Sequence, residues 1–344
     1  MNGIYFPGFG IFFDNVPSGF TIFGFEIKFY GILIAIGFLL AYFIARYLGK
    51  KNGLDEEMYM DYLIILIPCA LVGARLYYVI FNFGNFSDPS VVQTLLNIVN
   101  FRNGGLAVYG GLILGVIAAV IYTKMKKVDL FKFSDPVAYG ILVGQILGRW
   151  GNFFNREAFG AYTSSIIRMA IPLDYFKNEG SLTYLEHSGI ISNQMLVNTE
   201  VVKGYECITV YPTFLMEGVW NFLVLVLLLL YYRHRKVHGE ISLLYVLFYG
   251  IGRFVIEGLR SDSLMAGSLK VSQIVAVLCI VGGAAGLIYR RLKCERISET
   301  VGVPDVEKNV AEADVEKAAV EEIAEESTEE TAVEEDGEKT ENNE

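Results

Sequence analysis

Between Gly148 and Gly160 the chain reads GRWGNFFNREAFG, placing two arginines, three asparagine or glutamate side chains and three glycines at the end of an otherwise apolar run. Hydrocarbon makes such groups expensive, so ionisable residues inside an apolar span mark function first. Arg149, Asn152 and Glu157 belong to this run. Arg75, Glu217, Arg253, Glu257 and Arg260 also lie within or at the edges of apolar stretches. Arginine has a planar, permanently charged fork that matches a phosphate. Four arginines (75, 149, 253, 260) against three glutamates (157, 217, 257) leave a neutral or positive site. That suits an anionic ligand held at membrane depth.

Helical spacing gathers these groups. Tyr249, Arg253, Glu257 and Arg260 fall at i, i+4, i+8 and i+11, which is one helix face. Arg149 and Asn152 are three apart. Gly144, Gly148 and Gly151 allow another helix to approach closely. The pairs Gly104-Gly105 and Gly110-Gly111 flank Tyr109 and let backbone come near a ligand or a neighbouring helix.

The elements that position these residues are membrane helices. The 344 residues are 53% hydrophobic with mean hydropathy +0.42, too oily for a soluble domain. The pattern predicts an all-α integral membrane protein with seven spans, at about 29–49, 59–82, 105–125, 136–155, 212–232, 240–260 and 268–289. The fourth is the weakest, because its last turns are the polar motif. Short loops rich in Lys and Arg follow spans one, three, five and seven, which predicts an N-terminus outside and a C-terminus in the cytoplasm. On that topology Tyr30, Arg75, Tyr109, Arg149, Glu217, Tyr249 and Arg253 all fall in outer halves of spans. A secondary transporter would place its site near the midplane and often carries internal repeats. Neither pattern is present in the sequence.

The remainder of the chain narrows the chemistry. From Val301 onward there are 17 acidic residues and 3 lysines, a net of −14 within a total of −10. Residues 297–344 are therefore expected to be a disordered acidic cytoplasmic tail, and residues 1–296 the membrane domain. Residues 161–210 are expected to form a small external cap between spans four and five. The N-terminus lacks the basic start of a cleavable signal peptide. Cys69, Cys207, Cys279 and Cys294 are scattered, and no metal-ligand or nucleotide-binding spacing occurs. No metal, no cofactor and no nucleic acid are expected.

The run GRWGNFFNREAFG closely resembles the signature of the prolipoprotein diacylglyceryl transferase family. Further segments resemble that family in order: FYG at Phe29–Gly31, GARLYYV at Gly73–Val79, GGLAVYGGLI at Gly104–Ile113, YPTFLMEG at Tyr211–Gly218 and YGIGRFVIEGLR at Tyr249–Arg260. The resemblance spans about residues 20 to 292 and agrees with the family's seven-span, N-outside topology. It implies transfer of a diacylglyceryl group from phosphatidylglycerol to the lipobox cysteine of a prolipoprotein signal peptide, in the bacterial plasma membrane. A thioether forms and glycerol phosphate leaves on the outer-leaflet side. Arg149 and Arg253 would be the main functional arginines. Asn152, Glu157, Gly160, Tyr30, Tyr249, Glu217, Glu257 and Arg260 would complete the site, with Arg75 as a further phosphatidylglycerol contact. Many members have His where this chain has Tyr109 and where it has Tyr211, so a histidine base is not expected. Tyr109, Glu157 and Glu217 stand as candidate bases.

Overall fold

A computed structural model describes residues 2–100, 104–178, 191–260, 265–266 and 269–294. The acidic tail expected at 297–344 lies outside the described residues. Ten helices are described: α1 Phe29–Lys51, α2 Met58–Phe81, α3 Val91–Val99, α4 Val108–Met125, α5 Leu130–Asn155, α6 Leu173–Asn178, α7 Asn193–Val197, α8 Thr213–Tyr231, α9 Glu240–Gly258 and α10 Val271–Lys293. Six of these, α1, α2, α4, α8, α9 and α10, are long and apolar enough to cross a membrane. Their outward faces carry exposed Leu, Ile, Val and Phe, as lipid-facing surfaces do.

The fourth expected span, 136–155, falls inside α5, a 26-residue helix less apolar than the other six. Its placement explains its composition. Only Ile141 and Trp150 on α5 are exposed, because the helix is enclosed by its neighbours. Glycines bring α1 against it: a methyl at Gly140 would meet Ala41 at 2.9 Å, and one at Gly37 would meet the Gly144 Cα at 3.3 Å. Tyr139 of α5 donates to the Leu228 carbonyl of α8 at 2.8 Å. Asp129 caps the start of α5 by accepting from the amides of Phe131 and Lys132.

The expectation of an all-α protein is corrected. Strands β1 Ile4–Phe6, β2 Ile11–Phe13, β5 Met169–Pro172, β6 Glu200–Val202 and β7 Tyr205–Val210 form an antiparallel sheet in the order β2-β1-β5-β7-β6. Between β2 and β5 come the hairpin strands β3 Gly19–Ile22 and β4 Phe25–Lys28, and a small ladder, β8 Met265–Ala266 with β9 Leu269–Lys270, precedes α10. Within the stretch 161–210, expected to form a small cap, the described strands thus share a sheet with the first residues of the chain. The core of this region is Ile4, Met169, Ile171, Ile208 and Val210, all fully buried, with Phe153 and Phe214 from α5 and α8. Burial in this sheet pushes the Cys207 thiol up to about 11.

Candidate active site

Glu217, on the second turn of α8, is the centre of the arrangement. Its side chain is 4% exposed and reaches two guanidiniums. Arg149 Nη2 donates to Oε1 at 2.6 Å, and Arg253 Nη1 donates to Oε2 at 3.1 Å. Arg253 makes a second ion pair, Nη2 to Glu257 Oε2 at 2.8 Å, one turn further along α9. Arg149 Nη1 donates to Asn152 Oδ1 at 3.2 Å, and Asn152 Nδ2 donates to Glu157 Oε1 at 2.9 Å. Asn155 Nδ2 adds a bond to the same oxygen at 3.3 Å. One polar network therefore joins the last turns of α5 and α9 to the first turns of α8. Paired this way, each buried charge keeps a counter-charge, which an apolar surrounding demands.

Backbone links between the same three helix ends fix the network. Gly160 N donates to the Tyr211 carbonyl at 2.8 Å, and Ala161 N to the Leu259 carbonyl at 2.8 Å. Gly160 also forms a bridge with Arg260. A methyl on Gly160 would lie 2.5 Å from the Leu259 oxygen and 2.8 Å from Thr213 Cγ2. Gly160 therefore lets three segments meet, and this close approach by itself accounts for a glycine there.

Two arginines of the expected set differ sharply. Arg149 gives two of its five N–H groups to Asn152 and Glu217, and among the described residues no bond takes the other three. Arg75 spends all five on carbonyls: Nε on Ile98, Nη1 on Gly104 and Gly105, Nη2 on Asn97 and Asn100, at 2.7–2.9 Å. Among the described residues all five donors are thus taken by carbonyls, which gives Arg75 a scaffold role in holding the end of α3 and the Gly104-Gly105 pair. Arg260 is moved. It lies past the end of α9 at Gly258, so only Tyr249, Arg253 and Glu257 share the helix face.

Arg149 stands at an open groove between α5 and α8, lined by Ile146, Trp150, Phe214, Val219 and Phe222, where it is the one charged residue. Gly218 packs beside Arg149, where a methyl would lie in ordinary contact with Arg149 Cβ at 3.6 Å. Tyr30 is 38% exposed, and its ring lies against α5 where a methyl at Gly151 would come within 2.5 Å. Tyr249 sits one turn before Arg253. The groups acting electrostatically on Arg253 are Glu217, Glu257, Tyr249 and Tyr109. Tyr109, at the start of α4, shares a 3.1 Å hydrogen bond with Ser272 Oγ at the start of α10.

Sequence reasoning overlooked Arg156, the second arginine of the motif. It is 2% exposed and donates from Nη2 to the carbonyls of Asn2 and Val16, both at 2.5 Å. Its guanidinium carbon lies 4.3 Å from the Tyr175 ring centroid. It anchors the N-terminal strands to the end of α5. The lone signal was its place in the motif, which does not separate an anchor from a ligand contact.

A model of the family described as prolipoprotein diacylglyceryl transferase matches residues 17–289, a range that holds the whole network. The chain belongs to the prolipoprotein diacylglyceryl transferase family. It is similar to proteins named phosphatidylglycerol–prolipoprotein diacylglyceryl transferase. The one from Clostridioides difficile (strain 630) is 38% identical over 270 residues, covering 78% of this chain and 93% of that protein. The one from Listeria innocua is 37% identical over 277 residues, covering 80% and 90%. The one from Clostridium botulinum (strain Langeland) is 38% identical over 281 residues, covering 81% and 98%. Within this family assignment, the network around Glu217 is where the chain concentrates its membrane-level charge.

Proposed function

We propose that this membrane transferase moves the diacylglyceryl group of phosphatidylglycerol onto the lipobox cysteine of a prolipoprotein signal peptide. The observation that carries this reading is Arg149, paired to Glu217 yet keeping donors free at the mouth of an apolar groove. A lipid phosphate fits there while its acyl chains stay among the Ile, Val, Trp and Phe side chains. Arg253, oriented by Glu217 and Glu257, supplies the second positive charge.

The reaction is a substitution at an sp³ carbon. The cysteine sulfur attacks the glycerol carbon, the C–S bond forms, and the carbon–oxygen bond to phosphate breaks. The electron pair leaves on glycerol phosphate. Preorganised guanidiniums stabilise the charge that grows on that phosphate. No oxyanion hole is required. The thiol, with an ordinary pKa near 8.5, must lose a proton. Glu217 and Glu257 are committed to arginines. Glu157 is exposed and among the described residues holds only the amides of Asn152 and Asn155, so it is the carboxylate best placed to take the proton. Tyr109 and Tyr249 orient the substrate by hydrogen bonding.

This reading includes seven spans, with α5 as the seventh, an N-terminus outside, and a site facing the outer leaflet of the bacterial plasma membrane. The acidic segment 297–344 has no part in catalysis. Incubating the purified protein with headgroup- and acyl-labelled phosphatidylglycerol and a lipobox peptide tests the reading. A diacylglyceryl mass on the peptide cysteine, with release of headgroup label, is expected. Unchanged peptide would overturn it.

A further inference from the structure

The start of α10 touches both sides of the site. Lys270, immediately before the helix, donates from Nζ to the Glu257 and Arg260 carbonyls at 2.7 and 2.9 Å. Gln273 Nε2 donates to the Phe254 carbonyl at 3.2 Å. These bonds tie the start of α10 to the last turns of α9, where Arg253 and Glu257 reside, and to Arg260 just beyond its end. Between them in sequence, Ser272 points the other way, to Tyr109 on α4 at 3.1 Å. Ser272 is 8% exposed, so its hydroxyl has little access to water. Tyr109 is half-buried, and a hydroxyl pair shielded in this way fixes direction, because losing one partner leaves the buried Ser272 hydroxyl without its bond.

We propose that Ser272 is a positioning residue for Tyr109. Four residues of chain, Lys270 to Gln273, set the phenol on α4 relative to the guanidinium on α9. Ser272 touches neither phosphate nor thiol and acts through Tyr109. The proposal rests on the reading of Tyr109 as a substrate-orienting phenol in the transferase reaction.

The test is a double-mutant cycle with Ser272→Ala and Tyr109→Phe, read twice on the purified protein. Thermal unfolding reports the contact itself. The two substitutions should couple, the double variant losing less than the sum of the single ones. Turnover with phosphatidylglycerol and a lipobox peptide reports the role. Ser272→Ala should lower kcat by about three- to tenfold, the worth of one hydrogen bond, with KM for the lipid unchanged. In the Tyr109→Phe background the same change should have no further effect. Ser272→Thr, which keeps the hydroxyl, should recover most of the rate. Coupling in unfolding but additive losses in kcat would make the contact merely structural and overturn the proposal. A wild type with no transfer activity would remove the underlying reading, and this proposal with it, while leaving the coupling in unfolding intact, so the two failures have different signatures.

Discussion

Arg253 donates from Nη1 to Oε2 of Glu217 at 3.1 Å, joining the last turns of α9 to the second turn of α8. The other oxygen of the same carboxylate holds Arg149. One acid thus orients two bases that lie 104 positions apart in the chain. Among the described residues Arg149 depends on Glu217 alone for its counter-charge, whereas Arg253 is also held by Glu257.

Glu217→Gln tests this directly. The amide keeps the shape but removes the charge, leaving Arg149 uncompensated and Arg253 with Glu257 alone. Breaking a buried pair by removing one partner costs about 3–5 kcal/mol. A lowered thermal midpoint and a large fall in turnover are expected, measured by thermal unfolding and by peptide lipidation. Wild-type values for both would show that the bridge is incidental.

The helices and the charged network were legible in the sequence for one reason. An apolar span makes every polar residue conspicuous, so Arg149, Glu217, Arg253 and Glu257 stood out, and their helical spacing brought them together. The sheet was not legible. Tyr5 of β1 pairs with Ala170 of β5, and no local pattern records a partner 165 residues away. Roles were harder than locations. Arg75 and Arg149 look alike as lone arginines in apolar runs. What separates them is the set of carbonyls from Asn97 to Gly105 that folds over Arg75, and loop conformation is not written in side-chain type.

Arg75→Lys separates scaffold from ligand contact. An ammonium has three donors where the guanidinium uses five, so at least two carbonyls lose their partner. At about 1 kcal/mol or more for each bond, the thermal midpoint should fall. KM for phosphatidylglycerol in the folded protein should stay within about threefold, since a change below about 0.7 kcal/mol is expected where no contact is lost. A selective tenfold rise in KM with unchanged stability would return Arg75 to the lipid site.

Cys207 offers a check on the sheet. Burial raises its thiol from an ordinary 9.0 to about 11, so the folded state keeps it protonated. In the folded protein at pH 8 it should resist alkylation and react only on unfolding, as followed by mass spectrometry. The unfolded thiol ionises first as pH rises, so the unfolded state binds fewer protons there. The contribution of Cys207 to stability should therefore fall between pH 9 and about 11. Rapid labelling of native protein at pH 8 would contradict the buried placement.

Tyr109 stands where the resemblance noted in the sequence implies His in many members of the family. Its hydroxyl is engaged with Ser272, which suits it to orienting a substrate. Tyr109→Phe should slow turnover by about 10- to 100-fold, or about 1.4–2.8 kcal/mol in barrier. Tyr109→His should remain active. A folded but inactive Tyr109→His protein would mean that the phenol is indispensable here.

The most direct measurement compares the wild type with Arg253→Lys in transfer from labelled phosphatidylglycerol to a lipobox peptide, with folding verified in both. A lysine keeps one positive charge but cannot hold Glu217, Glu257 and a phosphate oxygen in one plane. The wild type should add a diacylglyceryl mass to the cysteine, and Arg253→Lys should lose about a hundredfold or more in rate, as when a preorganised electrostatic donor is removed. Near-normal turnover in a folded Arg253→Lys protein would contradict the guanidinium site.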